Sequence, residues 1–216
     1  MIEQRIENHV NNLIRRYPAL ERTKESIIDA YLIMESCYKT DGKILIAGNG
    51  GSAADTEHIA GELMKRFKTP RPVDPSFAEK LRAIDPVRGE NLANNLERSL
   101  MAIPLVAHEA LTTAYINDVD GYGVFAQQLY GFGRPGDVFL GISTSGNSRN
   151  IMSATVVARA IGIKVIGLTG ENGGELATVA DVCIKAPSNE TYIVQEYHLP
   201  IYHCLCLMLE DAFFGE

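Results

Sequence analysis

The sequence predicts a doubly wound α/β fold built on a parallel five-stranded sheet. Short apolar runs recur along the chain from residue 43, segments with helical spacing of apolar residues lie between them, and two of the runs end in glycine-rich or hydroxyl-rich turns. The apolar runs lack polar alternation, as expected for strands that are covered on both faces. Strands that alternate with helices in this way indicate a parallel sheet between two helical layers.

Two helices are predicted ahead of the first strand, over residues 2–16 and 21–39, with Pro18 between them. Both carry an apolar stripe at helical spacing. Such stripes need a partner, so we expect these helices to cover the sheet or to pair with another subunit. The chain is therefore divided into an N-terminal helical segment, residues 1–40, and a main α/β domain, residues 41–216.

The rest of the chain alternates between strands and helices. The strands are predicted at residues 43–47, 103–107, 137–142, 164–168 and 182–186. The helices are predicted at about residues 52–66, 109–116, 122–130, 147–161, 174–180 and 193–213. Residues 68–99 break this rhythm with several prolines among many charges, and long excursions in compact domains are usually functional or mobile. We expect an extended proline-rich part there, followed by a short helix at 89–100.

Composition narrows the class of protein. A chain of 216 residues suits one domain with added helices, and its net charge of −7 disfavours a general binder of nucleic acid or membrane surfaces. The N-terminus has no apolar signal core and no run approaches transmembrane length, so a cytoplasmic location is expected. The four cysteines form no Cys-x-x-Cys pair and are predicted to be buried thiols.

The first functional motif is the loop that follows the first strand. It contributes Asn49, Gly50, Gly51 and Ser52, directly before a helix. Glycines let the backbone approach an anion closely, and a helix start presents free N–H groups at a positive dipole end. We expect all four residues to contact a substrate, with Ser52 also capping the helix.

The second motif follows the third strand and is rich in hydroxyl groups. It contributes Ser143, Thr144, Ser145 and Ser148 at another helix start, which suits a phosphate monoester. Because ligands of open α/β folds bind at the carboxyl ends of strands, the two loops can converge on one ligand. The alternative is that both loops are ordinary tight turns with helix caps. The presence of two such loops makes this alternative less favourable. No P-loop is present, and the match to a dinucleotide fingerprint is loose.

Two further pairs of polar residues are candidates for chemistry. His58 and Glu62 lie on one helical face, about 6 Å apart along the axis, and could share a divalent metal such as zinc. An exposed ion pair is the commoner explanation of that spacing taken alone. Gln195 and His203 lie in or near the last helix, where a histidine among apolar residues is more often part of the core.

Together these motifs resemble the phosphoheptose isomerase branch of the sugar isomerase (SIS) domain family, over about residues 2–212. The residues that carry the resemblance are Gly48–Asp55, His58, Glu62, Gly141–Ser148, Gln195, Glu196 and His203. The resemblance implies a flavodoxin-like SIS fold. The stretch 68–99 departs from the family pattern because it is longer than the usual connection, and it could reshape the substrate pocket.

The resemblance also implies an activity, which is the isomerisation of sedoheptulose 7-phosphate to D-glycero-D-manno-heptose 7-phosphate through an enediol. It implies one zinc ion per subunit, with His58, Glu62, Gln195 and His203 as ligands. Glu62 is the candidate base and His203 the candidate acid, in an order of roles that stays open. Arg66, Asp118 and Gln195 match further substrate contacts of the family.

The resemblance implies a homotetramer with shared active sites. Gln195 and His203 would be about 12 Å apart along one straight helix, which is too far for easy binding of one metal ion. A kink near Pro200, or ligands from different subunits, would resolve this. We predict that at least one residue of the site crosses a subunit interface.

Two alternatives to this enzyme remain open. The first is a non-catalytic SIS protein that binds a phosphosugar or a protein partner, such as a replication initiator. The second is an isomerase of another phosphosugar. The presence of His58, Glu62, Gln195 and His203 together favours an enzyme.

Overall fold

The computed structural model describes residues 2–215 and places a five-stranded parallel sheet at the centre of the protein. The strands are β1 Ile44–Ala47, β2 Ala102–Pro104, β3 Val138–Ser143, β4 Lys164–Thr169 and β5 Val182–Lys185. Their order is β2-β1-β3-β4-β5, and every neighbouring pair is parallel. The predicted fold is confirmed. The order reverses between β1 and β3, which is where open α/β proteins bind ligands.

Helices cover both faces of the sheet. They are α1 Gln4–Arg16, α2 Lys24–Lys39, α3 Gly51–Met64, α4 Pro75–Ile84, α5 Pro86–Asn95, α6 Glu109–Asp118, α7 Val124–Phe132, α8 Arg149–Ile161, α9 Leu176–Val179 and α10 Thr191–Phe214. Ile44 and Ile46 of β1 pack with α1, α2, α3 and α10, whereas Leu45 packs with α7 and α8. Both faces of the strand are therefore buried, which explains its continuous apolar run.

The N-terminal helices cover the core of their own chain. Ile6, Val10 and Leu13 of α1 are buried in the same apolar cluster as α10. A 3-10 turn, Pro18–Thr23, takes the place of the first residues of the predicted second helix. α1 and α2 share one apolar core with the main domain. The division of the chain at residue 40 stays a prediction.

The expectation of an extended proline-rich part in residues 68–99 is wrong, because two of its prolines begin helices. Pro75 and Pro86 lie in the first turns of α4 and α5, where a missing N–H group costs nothing. The Asp85 carboxylate caps α5 by accepting from two backbone N–H groups at 3.0 and 2.9 Å. The excursion is a helical hairpin, and its second helix ends at Asn95 rather than at residue 100.

Two other predicted elements are shorter than expected. The second strand ends at Pro104, and the chain continues as a 3-10 turn. Proline has no N–H group to donate to a sheet, and it is tolerated here because β2 is an edge strand. The helix predicted at 174–180 is the four-residue α9. Among residues 2–215, no helix is both long enough and apolar enough to cross a membrane.

A buried ion pair joins the base of the helical hairpin to α3 and α10. The Arg71 and Glu210 side chains are 0% and 1% exposed, with Nη2 and Oε1 2.9 Å apart. The Glu210 carboxylate also accepts from the backbone N–H groups of residues 67–69 at 2.8 to 3.1 Å. Arg71 donates to the carbonyl oxygens of Leu63 and Glu62 at 2.7 and 3.2 Å. Both charges are thus hydrogen-bonded, as burial of charge requires.

We expect the Arg71→Met variant to lose about 3–5 kcal/mol of unfolding free energy, because the Glu210 carboxylate would remain buried without its partner. Urea denaturation followed by circular dichroism measures this loss. Arg82→Met is the matched control, since it removes the exposed Arg82–Glu90 pair on the hairpin, and surface pairs contribute little. Similar losses in both variants would contradict the assignment.

Candidate active site

The two predicted loops meet in one cleft of about 310 Å³ at the carboxyl ends of β1 and β3. Its lining residues are Asn49, Gly50, Gly51, Ser52, Ile142, Ser143, Thr144, Ser148, Thr191 and Gln195. Ser145 lines an adjoining cleft of about 210 Å³ that shares Thr144 and Thr191. A larger cleft of about 370 Å³, next to Arg22 and Glu171, contains neither loop. Cleft volume alone therefore does not identify the site.

The second loop gathers hydroxyl groups at the start of α8. The Ser143 and Ser148 Oγ atoms lie 2.8 Å apart, and Ser145 Oγ accepts from the Asn147 backbone N–H at 3.2 Å. Gly146 has a φ of +68°, and a Cβ atom there would collide with the carbonyl oxygen of Gly173. Glycine is thus required for the tight path of the loop.

The first loop is held in place through Asn49. Its amide exchanges two hydrogen bonds with the Asn150 amide of α8, at 3.0 and 2.8 Å, and so ties the two loops together. The expectation that the Ser52 side chain caps the helix is wrong. α3 already begins at Gly51, no side chain caps it, and the Ser52 backbone N–H donates to the Asn49 carbonyl at 3.0 Å.

His58 lies at the centre of a polar cluster between α3 and α10. Its Nε2 atom is 3.3 Å from Glu62 Oε1 and 3.4 Å from His203 Nε2. On the other side of the ring, Nδ1 is 2.9 Å from the Tyr202 hydroxyl. Within residues 2–215, no three or more His, Cys, Asp or Glu side chains have the spacing of a complete metal site. The structure instead gives two close pairs that share His58.

Burial shifts the protonation of several groups around this cluster. Burial, and then the neighbouring His58, lower the pKa of His203, which keeps its ring neutral near pH 7. Burial raises the pKa of the Asp55 carboxyl group to about 6 and also raises the pKa of Tyr202. Burial lowers the pKa of His198 to about 4, and its Nε2 lies 3.2 Å from the Thr169 carbonyl oxygen. We assign His198 to anchoring α10 on β4.

Gln195 belongs to the cleft and not to the His58 cluster. α10 is assigned as one helix through Pro200, so Gln195 and His203 share it. Gln195 lies against Gly51 at the start of α3, whereas His203 contacts His58 about two turns further along α3. Within the described residues, no hydrogen bond joins Gln195 to the His58 cluster.

Two predicted substrate contacts lie outside the cleft. α3 ends at Met64, two residues before the predicted end at residue 66, so Arg66 lies beyond the helix that carries Glu62. Arg66 pairs with Glu97 instead, with Nε and Oε1 3.2 Å apart. Asp118 is the last residue of α6, where it accepts from the Asn117 amide at 2.8 Å.

Sequence reasoning missed four residues of the site. Thr191 lines the cleft, Asn150 holds the first loop, and Asp55 and Tyr202 adjoin His58. The sequence positions of two of these residues could have indicated them. Asp55 precedes His58 by three residues on the same helix, a spacing that places both on one face, and Tyr202 directly precedes His203.

Comparison with known proteins gives consistent matches. The sequence matches the SIS domain family over residues 8–102 and 90–170. It is 36% identical over 210 residues to the phosphoheptose isomerase of Akkermansia muciniphila, covering 97% of each chain. It is 42% identical over 177 residues to that of Aneurinibacillus thermoaerophilus, covering 82% of this chain and 76% of the relative. The structure is similar to the phosphoheptose isomerase of Neisseria gonorrhoeae, with a TM-score of 0.73, 32% identity and coverage of 96% and 98%.

We expect Gly146→Ala to lower the melting temperature, because the new methyl group would collide with the carbonyl oxygen of Gly173 and because the residue would keep a φ of +68°. Gly61→Ala on α3 is the matched control. No atom lies within 4 Å of its added methyl group, and alanine favours a helix interior by up to about 1 kcal/mol over glycine. Thermal unfolding by circular dichroism measures both, and equal melting temperatures would contradict the tight path of the second loop.

Proposed function

Because the chain belongs to the phosphoheptose isomerases of the SIS domain family, we propose that it converts sedoheptulose 7-phosphate to D-glycero-D-manno-heptose 7-phosphate. One observation carries the proposal for this site. A cluster is formed by His58 and Glu62 of α3 and His203 of α10. The first residues of these two helices line the hydroxyl-rich cleft. The reaction moves a proton between C1 and C2 through an enediol, which requires an acid and a base beside the sugar chain.

In this proposal the second loop binds the phosphate group. Its serine and threonine hydroxyls offer several donors at once, and the first turn of α8 adds backbone N–H groups at a positive dipole end. This contact lies away from the reacting carbons. It therefore supplies binding energy that holds C1 and C2 in register with Glu62 and His203.

The proton-transfer roles follow from the chemistry of the two side chains. Glu62 is 14% exposed, and we assign its carboxylate to removing the carbon-bound proton and returning it to the neighbouring carbon. The lowered pKa of His203 keeps its imidazole neutral. A neutral imidazole can donate its N–H to the developing enediol oxygen, as in other sugar phosphate isomerases. The two groups thus act on carbon and on oxygen respectively.

We include zinc in the proposal, with His58, Glu62 and His203 as the residues that would hold it. Gln195, the fourth predicted ligand, lies against Gly51 and outside their cluster. Nitrogen and oxygen donors suit zinc, and the edges of a tetrahedral zinc site are about 3.3 Å long for bonds of about 2.0–2.1 Å. The His58–Glu62 and His58–His203 separations of 3.3 and 3.4 Å fit such edges. A bound zinc ion would polarise the substrate's carbonyl and hydroxyl oxygens.

The proposal further includes a homotetramer with shared active sites and a cytoplasmic location. Arg66 and Asp118 lie outside the cleft of their own chain, which supports contributions to a neighbouring subunit's site. α6 buries none of its residues and exposes Leu111 and Ile116, which favours association. All four cysteines are free thiols, as is usual in the cytoplasm.

We expect the purified protein to convert sedoheptulose 7-phosphate when supplied with zinc and to lose this activity in chelator. Proton NMR in D₂O measures product formation, and an enediol intermediate predicts deuterium at C2 of the product aldose. Added zinc should restore activity after chelation. Absence of turnover by zinc-supplied protein, together with tight binding of another protein, would favour the non-catalytic alternative. Conversion of a different sugar phosphate alone would favour the other isomerase.

We expect Glu62→Gln and His203→Asn each to lower kcat by at least about 100-fold, because each removes a proton-transfer group. The matched control is Glu57→Gln, which neutralises an exposed carboxylate on the same helix. Steady-state kinetics under zinc saturation measures kcat. A variant of Glu62 or His203 with a near-normal kcat would remove that residue from the mechanism.

A further inference from the structure

A segment that follows β4, residues 170–176, lies directly behind the second loop and is here called the backing segment. The Thr144 carbonyl oxygen accepts from the Gly170 backbone N–H at 2.9 Å, and the Gly146 carbonyl oxygen accepts from the Leu176 backbone N–H at 3.0 Å. The residues that line the cleft include none of the backing segment. These two carbonyl groups of the second loop are therefore turned towards a segment outside the cleft.

The backing segment and the second loop are in direct backbone contact. Gly173 and Gly174 have φ values of +74° and +56°. A Cβ atom on Gly174 would collide with the carbonyl oxygen of Ser145. Glycine is thus required for the close approach of the two segments.

The Asn147 side chain joins the two segments through both ends of its amide. Its Oδ1 atom accepts from the Glu175 backbone N–H at 2.9 Å, and its Nδ2 atom donates to the Ser145 carbonyl oxygen at 3.1 Å. A carboxamide can accept through one atom and donate through the other, so it suits a bridge between two stretches of backbone. Asn147 therefore holds the backing segment and also provides the donor for the Ser145 carbonyl group.

These bonds decide which backbone groups an anion in the cleft would meet. Carbonyl oxygens repel an anion, whereas N–H and O–H groups attract it. The three consecutive carbonyl groups of Thr144, Ser145 and Gly146 are all bonded to donors within the loop or the backing segment. Among the described residues that line the cleft, none has a charged side chain. Binding of a phosphate group there would depend on oriented dipoles, and so on how the loop is held.

We propose that Asn147 is a positioning residue for phosphate binding, because it ties the second loop to the backing segment and keeps the carbonyl oxygens of the loop turned away from the phosphate. The inference rests on the proposed function, which assigns the phosphate group to this loop. It adds that the affinity for phosphate depends on a side chain that is bonded to backbone groups.

Asn147→Ala tests the inference because it removes both bonds and leaves the serine and threonine hydroxyls in place. We use inorganic phosphate as the probe, with its Kd measured by phosphorus-31 NMR titration, so that the test requires no turnover. The expected result is a rise of about 10-fold in Kd. KM for the sugar phosphate should rise in parallel, while kcat at saturation changes little. Asn12→Ala is the matched control, since it removes an exposed carboxamide that bonds Arg15 on α1 at 2.8 Å. It should leave the Kd unchanged.

Glu175→Pro tests the same bond from its other side. Proline lacks the backbone N–H that donates to Asn147, and Glu175 already has a φ of −64°, which proline adopts. We expect the Kd for phosphate to rise again. Glu175→Ala is the matched control, because it removes the exposed carboxylate and keeps the backbone N–H. It should not weaken phosphate binding.

The outcomes separate this inference from the proposed function. A Kd within twofold of wild type in both Asn147→Ala and Glu175→Pro would overturn the inference, and so would a wild type that binds no phosphate. Thermal unfolding shows whether each variant is folded, and if Asn147→Ala is not, Glu175→Pro alone decides. A wild type that binds phosphate and converts no sedoheptulose 7-phosphate would contradict the proposed isomerase, while the two Kd values would still decide the role of Asn147.

Discussion

The packing of α10 along α3 is the contact on which the candidate site depends. The two helices meet at three levels. Gln195 lies against Gly51, His203 and Tyr202 contact His58, and the Arg71–Glu210 pair closes the far end of α3. The first level belongs to the ligand cleft and the second to the polar cluster. The same side-by-side arrangement therefore fixes the distance between the cleft and the His58 cluster, to which the proposed function assigns substrate binding and proton transfer.

The contact at the far end of α3 is the Arg71–Glu210 ion pair, although apolar side chains could also have filled this place. Desolvation of two charges is costly, and well-packed apolar residues can replace a buried ion pair without loss of stability. Arg71 and Glu210 offset the cost by bonding backbone groups that would otherwise lack partners, including the carbonyl oxygens at the end of α3. Together these bonds hold the chain at residues 67–71 against the end of α3 and against α10.

The sequence predicted the sheet, both loops and the His58–Glu62 pair, because these depend on local patterns. Apolar runs, turn residues and an i, i+4 spacing are each readable within a few residues. The helical hairpin could not be predicted from its prolines alone, because the effect of a proline depends on whether it begins a helix or interrupts one. Arg66 was misplaced for a similar reason, since α3 ends two residues earlier than its pattern suggests. Tyr202 could not be assigned because its partners lie more than 140 residues away.

The helical hairpin leaves and rejoins the body of the protein at a single point. Pro72 bridges to Glu97, and the Arg98 backbone N–H donates to the Arg71 carbonyl at 2.8 Å, so the two ends of the hairpin are already joined. Its length can therefore change without altering the span that the rest of the chain must cover, because loop-closure cost depends only weakly on loop length. The hairpin is therefore a branch on a closed base that engineering could shorten or exchange, while the base stays bound to α3 and α10.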